Sequence, residues 1–134
     1  MSRKRCAYGA KRSVAAMPEN EKALVTIACE QFISDVLKPR FLPKTQPTEF
    51  NYPIGLSGKW HGNKYRFIQR FQCNPPDAIV PEFDAPFARI DCVSRDRFDV
   101  SYHRHTGAWF CLCRSLSLKE ALEEIETYPL LHPV

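Results

Sequence analysis

Two histidines and two cysteines fall within the short stretch YHRHTGAWFCLC, Tyr102 to Cys113. Imidazole and thiolate are the usual donors of a structural zinc site, which needs four ligands converging at about 2.0–2.3 Å. Whether these can converge depends on the turn between the two halves. Thr106-Gly107 makes a poor two-residue primed turn, because a β-branched threonine would have to take positive φ. A three-residue loop, His105-Thr106-Gly107, with Gly107 as the left-handed bulge residue, fits better. The predicted pairs are then Arg104–Ala108, His103–Trp109, Tyr102–Phe110, Ser101–Cys111, Val100–Leu112 and Asp99–Cys113. Phe98, Val100, Tyr102, Phe110 and Leu112 share a core face. Asp99, Ser101, His103, Trp109, Cys111 and Cys113 share the opposite one. Alternate residues on a strand point in parallel, and His105 sits in the turn, so the reading is a hairpin with no metal and no cofactor. The face bearing His103, Trp109 and Cys111 remains a candidate docking surface for a protein partner.

Other catalytic chemistry finds no footing. Cys73, Cys92 and the histidines make no nucleophile–base motif. No glycine-rich phosphate loop and no HExxH occurs. Glu120, Glu123, Glu124 and Glu126 read as the solvated face of a helix. The chain is expected not to be an enzyme.

A second hairpin carries a different chemistry. In IGLSGKWHGNKYRFIQRFQC, Gly62-Asn63 supplies residues that tolerate positive φ, as primed hairpin turns require. That turn sets the pairs His61–Lys64, Trp60–Tyr65, Gly58–Phe67, Leu56–Gln69 and Ile54–Phe71. Ile54, Leu56, Trp60, Tyr65, Phe67 and Phe71 then collect on one face. Lys59, His61, Lys64, Arg66 and Arg70 collect on the other, with Ser57 and Ile68. Turn chemistry and period-2 alternation agree on this register. Four like charges on one strand pair form a candidate surface for nucleic acid or another polyanion, or for an acidic protein partner. The plainer alternative is a solvated outer face.

The elements that position these faces come from the rest of the chain. At 134 residues, with 44% hydrophobic and 25% charged side chains, the composition is that of one globular domain. Residues 19–38 repeat apolar side chains at helical spacing, among them Leu24, Val25, Ile27, Ala28, Cys29, Phe32, Val36 and Leu37. Pro39 is expected to end that helix. FARIDCV reads as a third strand, and RFDVSYHRH and AWFCLCRS as the fourth and fifth. SLSLKEALEEIETYP is a second helix opened by a capping box at Ser117 and Glu120. Leu118, Ala121, Leu122 and Ile125 form its buried face, and Pro129 lies just past its end. Residues 1–18 hold Arg3, Lys4, Arg5, Lys11 and Arg12 and no acid. They read as a mobile basic tail before a domain over 19–134, which itself carries 14 basic and 15 acidic side chains. No run approaches the roughly 18 apolar residues of a membrane span, and the N-terminus lacks the apolar core of a secretory signal. The expected location is the cytoplasm, with the six cysteines as free thiols.

The motifs HGNKYRFIQRF, PFARIDC, YHRHTGAWF and SLKEALEEIETYP, in that order, resemble the bacterial domain-of-unknown-function family numbered 3024, over about residues 20–130. The chain departs from that pattern in Thr-Gly at the second turn and in Tyr128-Pro129 near the last helix. The resemblance implies a fold and no established activity. The expected fold is α+β: a mostly antiparallel sheet of about five strands in two hairpins, with an N-terminal and a C-terminal helix packed on it. The expected role is a small non-catalytic binding module.

Overall fold

The computed structural model describes residues 17–41, 52–72, 82–104 and 106–133. Residues 1–16, which hold all the charges of the basic tail, lie outside them, as do Cys73 and His105. The order of elements is α1 (Glu19–Phe32), a π-helical turn (Ile33–Leu37), α2 (Lys38–Phe41), β1 (Tyr52–His61), β2 (Lys64–Gln72), β3 (Glu82–Ser94), β4 (Arg97–His103), β5 (Trp109–Leu116) and α3 (Leu118–Thr127). A 3₁₀ turn, Pro129–Leu131, follows. The five strands form one antiparallel sheet in sequence order, with helices before and after it. Each strand is thus hydrogen-bonded to the one that precedes it.

Both principal helices bury side chains in the same core. Val25, Cys29, Phe32, Ile33 and Leu37 from the N-terminal helix join Tyr65, Phe67, Phe87, Ile90 and Val100 of the sheet, and Ala121 and Ile125 of α3. The rings of Phe32 and Phe67 meet edge to face at 6.3 Å. The Trp60 indole N–H donates to Thr26 Oγ1 at 2.7 Å, tying α1 to β1. At the far end, Arg40 Nη1 donates to the Glu126 carbonyl at 2.8 Å, supplying a cation and a donor to the last turn of α3. Burial pushes the Cys29 thiol up to about 12, so it packs as a neutral apolar group. Before α1, Met17 packs on the core and donates its N–H to Asn63 Oδ1 at 3.0 Å, fastening the chain to the β1–β2 turn.

The two turns follow the sequence reading. His61 pairs with Lys64, Trp60 with Tyr65, Gly58 with Phe67 and Leu56 with Gln69. Gly62 has φ +59°, and Asn63 keeps negative φ, which is the II′ pattern. At the second turn Gly107 has φ +89°, and Arg104 N–H donates to the Ala108 carbonyl at 2.8 Å. Tyr102 pairs with Phe110 and His103 with Trp109. The Ser117–Glu120 capping box is present with both of its hydrogen bonds, and Asp96 Oδ1 accepts from Leu118 N–H beside it.

Five expectations need correction. Pro39 does not end the helix. The wide turn before it, in which Lys38 N–H reaches back five residues to the Ile33 carbonyl, takes in a ring that an α-helical turn would exclude. Leu24 and Ile27 are 67% and 62% exposed, because the helix buries only the narrower stripe through Val25, Cys29, Phe32 and Ile33. Ile54 is displaced by a bulge next to Pro53, so Phe71 pairs with Pro53. A bulge at Leu112 makes Val100 pair with Cys113, which turns Cys113 onto the core face, where its thiol donates to Glu124 Oε1 at 3.5 Å. Glu124 is accordingly buried against the sheet instead of lying on a solvated helix face. Packing decides the last two outcomes: α3 needs apolar cover, and Leu112 and Cys113 together provide it.

β3 begins five residues before the expected strand, and Pro86 lies in that extension. Pro86 lies opposite Ile68 of β2, and the pairing of β3 with β4 begins only at Ala88, so on the β4 side this stretch is an edge, where proline is tolerated.

Gly58 is required by a contact. A methyl group there would strike the ring and hydroxyl of the buried Tyr65, its diagonal neighbour across the hairpin. Gly58→Ala is expected to cost about 1–3 kcal/mol in urea denaturation. Combined with Tyr65→Leu, it should cost clearly less than the sum of the two single changes. Additive costs would show that the two positions do not share space.

Candidate polyanion-binding face of the sheet

Because α1 and α3 bury their side chains on one side of the sheet, the alternate residues of every strand face the other side. Strand pairing builds one row there from Lys59, Arg66, Arg89, Ser101 and Cys111. A second row runs His61, Lys64, Asp91 and Asp99. His103 and Trp109 extend the same face at the β4–β5 end. The basic face of the first hairpin and the candidate docking residues of the second, read separately in the sequence, therefore belong to one surface. The third strand joins them and adds Arg89 and Asp91.

The charges on this face are not equivalent. Arg70 lies 3.3 Å from Glu82 and 3.7 Å from Asp84, two acids carried by β3. Lys64 pairs with Asp91 across the strands. Arg89 makes a two-pronged contact with Asp91, Nε to Oδ1 at 2.7 Å and Nη2 to Oδ2 at 3.0 Å. Burial raises the Asp91 carboxyl above its ordinary value, and the nearby Arg89 and Lys64 oppose that rise without cancelling it. Acids from the neighbouring strand thus compensate part of the basic hairpin.

Arg66 stands apart. It lies between Lys59 and Arg89 in the cross-strand row, where like charges oppose one another. Its Nε is buried and has no hydrogen-bond partner. Among the described residues no carboxylate meets its guanidinium, whose one neighbour of note is the Trp109 ring at 5.7 Å. Arg89 lies over the same ring at 4.8 Å, and the His103 ring meets it edge-on at 4.9 Å. An indole held by two guanidinium groups and an imidazole has a fixed orientation, and each cation over a ring is attracted by its quadrupole. Beneath this layer Ser101 is only 2% exposed, although no described helix lies on its side of the sheet. Cys111 is half-buried, its thiol donating to the Cys113 carbonyl at 3.6 Å. Lys59 and His61 are exposed.

Among the described residues, no group of three or more His, Cys, Asp or Glu is placed to hold a metal ion. No described helix is long and apolar enough to cross a membrane. Sequence reading passed over Arg89 and Asp91. Their alternation in FARIDC marks them as one polar face of a strand. The meander order was needed to place that face between the two hairpins.

The family described as Domain of unknown function (DUF3024) matches residues 17–132. The chain belongs to that family, and the match spans the whole described sheet and the three described α-helices. No curated protein and no solved structure matches the chain.

A buried guanidinium Nε without an acceptor, beside like charges, costs stability. Arg66→Met keeps the length of the side chain and removes both the charge and the orphaned donor. It is expected to raise unfolding free energy by on the order of 1 kcal/mol in urea titration. A loss of stability would show that the Arg66–Trp109 contact outweighs the desolvation and repulsion.

Proposed function

We propose that this protein is a small non-catalytic binding module that takes a polyanion on the open face of its sheet. The observation that carries this reading is the Arg66 guanidinium. It is half-buried, flanked by Lys59 and Arg89, and meets no carboxylate among the described residues. A phosphate or sulfate group would supply both the missing charge and an acceptor for its donors, in the fork geometry that guanidinium favours. Lys59, His61 and Lys64 line the approach from the first hairpin. Arg70, held by Glu82 and Asp84, contributes less to the attraction.

A second reading takes the same face as the seat of an acidic protein partner, making the chain an accessory subunit docked through His103, Trp109 and Cys111. The half-buried Trp109 favours it, since aromatic anchors are common at interface centres. In both readings the protein acts in the cytoplasm.

Binding to heparin, measured as a function of salt, tests the first reading. Affinity should fall steeply as salt rises, because each neutralised anionic group releases counterions. Lys59→Gln combined with Arg66→Gln should weaken binding and flatten the log–log salt slope by roughly one to two units. Arg70→Gln should change it much less. No binding at low salt, or equal effects of all three substitutions, would return the face to solvated surface.

A further inference from the structure

We infer that the polyanion is a single-stranded nucleic acid, with one base stacked at Trp109 and the backbone drawn to Arg66 and Lys59. The inference rests on the polyanion reading of this face and goes further, because charge alone does not account for Trp109.

An indole on the open side of a sheet serves no core. Trp109 pairs with His103, and its ring is reached by Arg89 at 4.8 Å, Arg66 at 5.7 Å and the edge of His103 at 4.9 Å. These contacts fix the plane of the ring before any ligand arrives, so stacking a planar group on it costs little side-chain entropy. Cations and a rigid aromatic ring on one surface form the combination that holds single strands, in which the backbone follows positive charge and each base offers a π-face. A duplex keeps its bases stacked on one another and presents none of those faces to a sheet.

The layout gives the strand a direction. The row from Lys59 to Cys111 crosses five strands, a span of about 19 Å at the usual ~4.8 Å strand spacing. Phosphates would lie on the Lys59–Arg66 side, where no described acid faces them. In the next row Lys64 stands opposite Asp91, so the uncompensated positive charge lies in the first row. Arg89, already matched by Asp91, acts as a support for the indole more than as a phosphate contact.

The test compares three probes of about eight units on the full chain: oligo-thymidine, the same sugar-phosphate chain without bases, and a heparin fragment. The wild-type protein should bind oligo-thymidine at least about tenfold more tightly than the abasic chain, in line with the usual gain from stacking a base on an aromatic ring. Trp109→Leu should remove that difference, and Trp109→Phe should keep most of it. Equal affinity of the wild type for oligo-thymidine and the abasic chain would overturn base stacking and leave the polyanion reading standing. Tighter binding of a thymidine–adenine duplex than of the single strand would do the same. Failure to bind any of the three probes would overturn both. The wild-type comparison decides the matter even where Trp109→Leu proves too unstable to purify.

Discussion

Every placement in this molecule depends on the pairing register of the β1–β2 hairpin. Side chains alternate along a strand, so a slip of one residue would send Leu56, Tyr65 and Phe67 outward and bring Lys59 and Arg66 against the helices. Gly62 at positive φ fixes where the chain reverses, and Tyr65 filling the space above Gly58 admits no other alignment. With that register set, β3 pairs along β2, and β4 and β5 follow in order. The helices then find a continuous apolar face on one side alone.

Covering one side of the sheet obliges the other to deal with its charges through its own side chains. Most of the solution is local to the face. β3 brings Glu82 and Asp84 to Arg70, and Asp91 to Arg89. Among the described residues, what is left over is concentrated at Lys59 and Arg66, next to a tryptophan already held in place. A buried donor without an acceptor works against folding, and such departures from local consistency tend to fall at sites selected for something other than stability. The same region joins a destabilising cation, a pre-oriented ring and an open surface.

Local chemistry made much of this legible in the sequence. Gly62-Asn63, Gly107 and the Ser117–Glu120 box each act within a few residues, so turn geometry and capping could be read without knowing the neighbours. Features set by distant contacts were not legible. The extra residue at Leu112 is settled by α3, which reaches Cys113 from another part of the chain. Leu24 and Ile27 fit an apolar stripe, but no described strand comes under them. Pro39 could be read as a stop only while the wide turn before it was unknown. For the candidate site, each hairpin face was legible by alternation, whereas their union through Arg89 and Asp91 required the strand order.

The most direct test of the account is amide and indole chemical-shift mapping by NMR as a heparin fragment is added to the isotope-labelled protein. Shifts should concentrate at Lys59, Arg66 and Arg89 and at the Trp109 indole N–H, with Leu24 and Ile27 on α1 unmoved. Shifts centred on α1, or spread evenly over the surface without reaching Trp109, would contradict it.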